Sequence, residues 1–377
     1  MVPKHPVSRR SFLRTAVALG GLTAVASFLQ ACAQPGLERP TRAPTVPAKP
    51  TATPSPTLTL GPSPTTPPGP TAAEEAGMAR IAFVKTRDRT EGVRRALNLL
   101  GLNPVQGRDV LLKPNFNSAD PAPGSTHNDV LRALIQELRD MGARAITVAD
   151  RSGMADTREV MQQKGIFTMA RELGFKAVVF DELEETEWVM VQPPDSHWKK
   201  GFPFARPCLE AEALVQTCCL KTHRFGGHFT MSLKNSVGMA AKYIPGDRYN
   251  YMDELHSSAH QRLMIAEINS AYTPALVVMD GVEAFVTDGP ESGKRAWAEV
   301  VLAGTDRVAI DAVGVAVLRH FGTTRDVSEG PIFQLEQIAR AVELGLGVDG
   351  PEKIQFVTID PDSEAYAAQM REILMRG

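Results

Sequence analysis

The sequence is poor in the features that usually name a chemistry. Four cysteines in 377 residues exclude a disulfide-stapled miniature fold, and none are spaced as CxxC, the arrangement a ferredoxin-type iron–sulfur cluster needs. There is no phosphate-binding GxxxxGK[ST] loop and no GxSxG elbow, so common signatures of nucleotide binding and hydrolysis are missing. An excess of one charge is missing too. Lys and Arg number 41 against 43 Asp and Glu, a net charge of −2, whereas a dedicated nucleic-acid binder usually carries a basic surplus. What is present is ordinary for a globular protein, with 43% hydrophobic and 22% charged residues.

Acidic residues are absent from residues 1–31, which hold Lys4, Arg9, Arg10 and Arg14. Ser8-Arg9-Arg10-Ser11-Phe12-Leu13 precedes an apolar run from Thr15 to Leu29, about the length of a signal-peptide core and short for a membrane span. The S-R-R-x-F-L pattern resembles a twin-arginine export signal. Leu29-Gln30-Ala31-Cys32 resembles a lipobox, which makes Cys32 the candidate lipidation residue. Ala31-Cys32-Ala33 offers an alternative site for ordinary cleavage after Ala33. Residues 33–72 are rich in Pro and Thr, bury almost nothing, and read as a semi-rigid spacer. About 40 residues at ~3 Å each reach up to about 100 Å. A spacer of this kind favours lipid anchoring on the extracytoplasmic face of the bacterial cytoplasmic membrane, with a secreted soluble protein as the alternative. The expected partners are the export machinery and the membrane.

The expected division is a signal peptide at 1–31, the lipobox Cys and linker at 32–77, and an α/β domain at 78–377, one large domain or two merged lobes. Short apolar runs read as strands at 80–84, 109–113, 145–150, 177–180, 213–218, 275–280, 299–303 and 354–357. Amphipathic stretches between them read as helices, notably 88–100, 126–141, 256–271, 306–320 and 331–344. Continuous apolar strands alternating with helices predict a largely parallel, helix-covered sheet. In such sheets ligands bind beyond the carboxyl ends of the strands.

Those ends are rich in polar groups. The stretch from Lys221 to Gly238 holds Lys221, His223, Arg224, His228, Lys234 and Asn235, with Gly226-Gly227 expected to open a helix whose N-terminal N–H groups aid anion binding. Together these residues suit a carboxylate or phosphate, with His223 as a proton carrier near neutral pH; a solvated basic loop is the bland alternative. Lys113 and Asn115 follow another strand and could hold the same anion, or form only a turn. His256 and His260, at i,i+4 spacing, would share a helix face. Asp280-Gly281 and Asp288-Gly289 are read as flanking a loop able to bind a divalent cation. Asp306 reads as a helix N-cap.

Several of these motifs, taken together, resemble the domain of unknown function 362 family. They are Leu111-Leu112-Lys113-Pro114-Asn115, Lys221-Thr222-His223, Leu233-Lys234-Asn235-Ser236-Val237-Gly238, Asp288-Gly289-Pro290 and Asp306-Arg307-Val308-Ala309-Ile310-Asp311-Ala312. The resemblance runs from about Arg80 to Phe321. It implies no settled activity. Some members resemble iron–sulfur proteins through four-cysteine segments, which this chain lacks, so an iron–sulfur cluster is not expected.

The leading expectation is an exported, lipid-anchored α/β enzyme acting on a small anion. In it Lys113, Asn115, Arg224 and Asn235 bind substrate, and His223, Lys221, Lys234, Asp280 and Asp311 carry catalysis. Cofactors are left open, with a divalent metal on His223, His228 and Asp280 as one alternative. A ligand-binding lipoprotein without catalysis is the rival.

Overall fold

A computed structural model describes residues 77–376. Cys32, the export signal and almost all of the linker lie outside the described residues. Of eleven strands, nine form one sheet in the order β11-β1-β10-β9-β7-β2-β3-β4, with β8 paired to β7. The strands are β1 Ala79–Lys85, β2 Asp109–Lys113, β3 Ala145–Asp150, β4 Lys176–Val179, β5 Trp188–Val191, β6 Phe202–Ala205, β7 Ala213–His223, β8 His228–Thr230, β9 Leu276–Thr287, β10 Lys294–Gly304 and β11 Ile354–Val357. The run β9-β7-β2-β3-β4 is parallel, as is the pair β1-β11. β10 runs antiparallel to both β1 and β9. β5 and β6 form a separate antiparallel hairpin.

Alternation along the strands creates the layers. In β1, Ile81 and Phe83 pack into one core with the helices Arg307–His320 and Pro361–Arg376. Ala82 and Val84 pack into the opposite core with Arg89–Leu100 and Asn128–Asp140. Side chains of successive strand residues point to opposite faces, so a sheet covered on both sides must be apolar throughout. β7 is buried throughout, its polar Gln216, Thr217, Lys221, Thr222 and His223 included. A third cluster gathers the β5–β6 hairpin against the helices Tyr251–Ser257 and Gln261–Ile268.

Local signals account for the helix ends. Asp88 caps Arg89–Leu100 by accepting from the Glu91 N–H, and Gly101 closes it at φ 62°. Asp306 accepts from the N–H groups of Val308 and Ala309, both at 2.8 Å. No described helix is long and apolar enough to cross a membrane.

Three local expectations need correction. Gly226 and Gly227 do not open a helix; they turn the β7–β8 hairpin, where Lys221 pairs with Thr230 and His223 with His228. The 256–271 stretch is two helices broken at Ser258, so His256 and His260 do not share a face. Asp280 lies inside β9, which runs unbroken to Thr287. β7, already buried on both faces, supplies the partner that keeps both hairpin and long strand in register.

Candidate functional site

The ends of β2, β3 and β7 open onto a cavity of about 350 Å³. β2 delivers Lys113, β3 Asp150, and β7 Lys221 and His223; the hairpin return adds Thr230. The helix Ser232–Asn235 adds Lys234 and Asn235, and Tyr251–Ser257 adds His256. This is the carboxyl edge of the parallel strands, where ligand sites of open α/β sheets lie.

The three lysines have different fates. Lys113 is buried and its ammonium is saturated: Asp150 Oδ1 stands at 2.7 Å, the Pro114 carbonyl at 2.6 Å and Asn235 Oδ1 at 3.0 Å. Asp150 also accepts from the N–H groups of Phe116 and Arg151, each at 2.7 Å. Burial lowers the Lys113 pKa and raises that of Asp150, and the contact between them opposes both shifts. Gly238 is required beside the pair, because a Cβ there would stand 2.6 Å from Asp150 Oδ1 and 2.7 Å from Lys113 Nζ. Lys221 donates to Asn115 Oδ1 at 2.8 Å and to the Gly124 carbonyl, and among the described residues it has no carboxylate partner.

Lys234 differs from both. It is buried, and among the described residues its ammonium has no hydrogen-bond or ion-pair partner. Burial, with the Lys221 and Arg151 charges nearby, pushes its pKa down to about 7. Arg151 donates to the carbonyls of Ala240, Ser152 and Val237, so its charge also lacks a carboxylate contact.

His223 is held neutral. Burial, then Lys234, Lys221 and His256, drive its pKa well below the usual imidazole range. Its Nδ1 is buried without a partner, as are Thr230 Oγ1 and Asn117 Nδ2, and all three residues line the cavity. Buried polar atoms are almost always paired, by protein or by water, and these three face one cavity without a protein partner among the described residues. Met154, Phe225 and Tyr243, all about half exposed, also line the cavity.

Of the residues singled out in the sequence, the cavity gathers Lys113, Asn115, Lys221, His223, Lys234, Asn235 and His256. Four are placed elsewhere. Asp280 is held by Arg89 at 2.9 Å. Asp311 is fully buried and accepts from the N–H groups of Ser232 at 2.7 Å and Leu233 at 3.0 Å. It therefore positions the helix bearing Lys234 and occupies the donors expected for an anion; burial raises its pKa to about 8. Arg224 pairs with Glu291 and the Asp288 carbonyl. His228 faces Asp326 at 3.8 Å, and with Arg224 lines a smaller hollow of about 110 Å³.

Among the described residues, no group of three or more His, Cys, Asp or Glu side chains could hold a metal ion. His223, His228 and Asp280 thus do not assemble as a metal set, the hairpin and β9 carrying them to different places. His260 lies against His197, ring centroids 4.6 Å apart and planes tilted by 39°, and does not line the cavity. Arg151 and Thr230 line the cavity without having been singled out. Arg151 directly follows a strand-end Asp, the only sequence signal it carried.

The profile of the family described as Domain of unknown function (DUF362) matches residues 110–316. The chain is 24% identical over 218 residues to a thylakoid-associated protein of Synechocystis sp., covering 56% of this chain and 64% of that protein, less than two thirds of its length. The lactate racemase apoprotein of Thermoanaerobacterium thermosaccharolyticum superposes with a TM-score of 0.39 at 13% identity, over 78% of this chain and 86% of that one. At that score nothing about the site follows from the likeness.

Proposed function

We propose that this chain, which belongs to the DUF362 family, is an enzyme that binds a small carboxylate or phosphate in the lysine-lined cavity and moves a proton at His223. The charge balance there carries the reading. Lys113, Arg151, Lys221 and Lys234 are four buried cationic residues lining one cavity, and Asp150 is the sole buried carboxylate among its lining residues. Buried charge is costly unless paired, and an anion would pair Lys234 and give Asn117 Nδ2 and Thr230 Oγ1 a partner. Strongly shifted titrating groups in a cleft are themselves a mark of functional sites.

Calorimetric titration with inorganic phosphate, pyruvate and glyoxylate tests this. The groups that set the charge state of Lys234 are Lys221 and Arg151, with His223 and His256 close by, and none is a carboxylate. Binding is therefore expected to be strongest below about pH 7. It should weaken by up to about tenfold per pH unit above it, as Lys234 loses its proton. No binding by any of the three would remove the reading; pH-independent binding would remove Lys234 from it.

A second reading, an anion-binding protein without turnover, draws on one observation: among the described residues no carboxylate meets His223 Nδ1. Recovery of bound ligand chemically unchanged after prolonged incubation would favour it.

The sequence further supports export through the twin-arginine route and tethering to the outer face of the cytoplasmic membrane through Cys32. Cys32→Ala is expected to shift the protein from the membrane to the soluble fraction, and replacing Arg9 and Arg10 by Lys to retain it in the cytoplasm. Membrane association that survives Cys32→Ala would remove the lipid anchor.

A further inference from the structure

We infer that Lys234 is a covalent nucleophile that forms an imine with a carbonyl group on the anionic substrate, which makes the substrate class a 2-oxo acid or an aldehyde bearing a neighbouring acidic group. The inference rests on the anion-binding reading above and adds to it the electrophile and the atom that attacks it.

The geometry singles out one amine. Lys113 has all three ammonium protons engaged, and Lys221 donates to two oxygens. Lys234 engages nothing among the described residues and reaches the same cavity. A group held in place by protein acceptors cannot attack a ligand without leaving them; Lys234 has none to leave. Beside it stands a proton carrier. Lys234 and His223 flank Gly227, where a Cβ would lie 2.6 Å from Lys234 Cε and 3.2 Å from His223 Nδ1. That Nδ1 is the buried imidazole nitrogen without a partner. Desolvation and neighbouring positive charge are the two means by which a lysine becomes nucleophilic near neutral pH. Both act here, and Lys221 and Arg151 supply the charge.

The step closes on atoms and electrons. The neutral Nζ attacks the carbonyl carbon, a C–N bond forms, and the C=O π pair moves to oxygen. One amine proton passes to the unpaired nitrogen of His223 and on to that oxygen, giving a carbinolamine. A second proton, taken up from water, lets the hydroxyl leave as water while the nitrogen lone pair closes the C=N bond. The product is a protonated imine, and no oxidant or reductant is required. The remaining lysines keep the acidic group of the substrate in a positive field throughout.

The test is reductive trapping on the intact full chain. Pyruvate or glyoxylate is added at neutral pH with sodium cyanoborohydride, and the product is mapped by peptide mass spectrometry. The imine is expected to be captured at Lys234 as a mass gain equal to the oxo acid less one oxygen atom. The expected preference is at least about tenfold over exposed lysines such as Lys176 and Lys199, which lack a cavity to hold the carbonyl against the amine. Excess inorganic phosphate should suppress capture at Lys234 and leave surface labelling unchanged. Lys234→Arg, which keeps the charge, should bind phosphate yet give no adduct in the cavity. If phosphate binds and neither oxo acid labels Lys234 above the surface lysines, the inference is overturned and the anion-binding reading stands. If neither binding nor labelling occurs, both fall.

Discussion

Lys234→Met is expected to raise the melting temperature by at least about 3 °C at neutral pH while abolishing anion binding. The sign follows from linkage. The folded-state pKa of Lys234 is pushed down to about 7, whereas an unfolded lysine titrates near 10.4. Between those values the unfolded chain binds more protons, so this group's contribution to stability improves as pH rises through that window. Its destabilisation is fully present below about pH 7 and gone above about pH 10. Replacing the amine by an apolar side chain of similar length removes a penalty on the order of 2–4 kcal/mol at pH 7. On a chain of this size that is several degrees. The gain should shrink as pH is raised, which thermal unfolding at a series of pH values checks. A variant that melts lower at every pH would mean that Lys234 has a partner in the folded protein and is not held there for a ligand.

Asp150→Asn should have the opposite effect, a loss of about 3–5 kcal/mol, because it leaves the Lys113 ammonium buried without its counter-charge. The amide has a single acceptor oxygen, so it can serve Arg151 at the Oδ1 position or Phe116 at the Oδ2 position but not both, and the loss includes one backbone contact as well as the charge. Replacing both partners together, Lys113→Met with Asp150→Leu, should recover only part of that stability: a buried ion pair exchanged for apolar packing is often close to neutral, but the Phe116 and Arg151 N–H groups lose their acceptor. The double variant is nevertheless expected to bind phosphate poorly, because Lys113 also holds Asn235 Oδ1 at 3.0 Å next to Lys234. Chemical denaturation and calorimetry on the single and double variants separate these effects. A single variant as stable as the parent would show that Lys113 sits there as a neutral amine.

The sheet was legible because its strands are buried on both faces and are therefore continuous apolar runs. Each of the eight expected strands is present, and Lys113, Lys221 and His223 sit where strand ends predict. Boundaries and long-range partners were less legible. Gly226-Gly227 serves a helix start or a hairpin equally well in one dimension, and only pairing with β7 decides between them. Asp280-Gly281 carries turn chemistry, yet β7 and β10 hold it inside a strand. Asp311 looked like a cleft carboxylate because it sits one turn into a helix. Its role as a cap for residues almost 80 positions earlier has no local signature. The selection of Lys234 over Lys113 and Lys221 was equally out of reach, since the three differ in which acceptors surround them, and those acceptors come from four separate segments.

The wholly buried course of β7 ties the fate of the cavity to that of the sheet. Cys218 and Leu220 anchor the strand in the core, and Lys221 and His223 follow directly on the same segment. A central strand with no exposed residue has no low-energy way to open locally, so its amides should exchange with solvent only when the whole sheet comes apart. A ligand that grips Lys221 and Lys234 would then act on the slowest-opening unit of the protein. Occupancy of the cavity would be felt as resistance of the entire sheet to unfolding, with little change in the frequency of any loop movement.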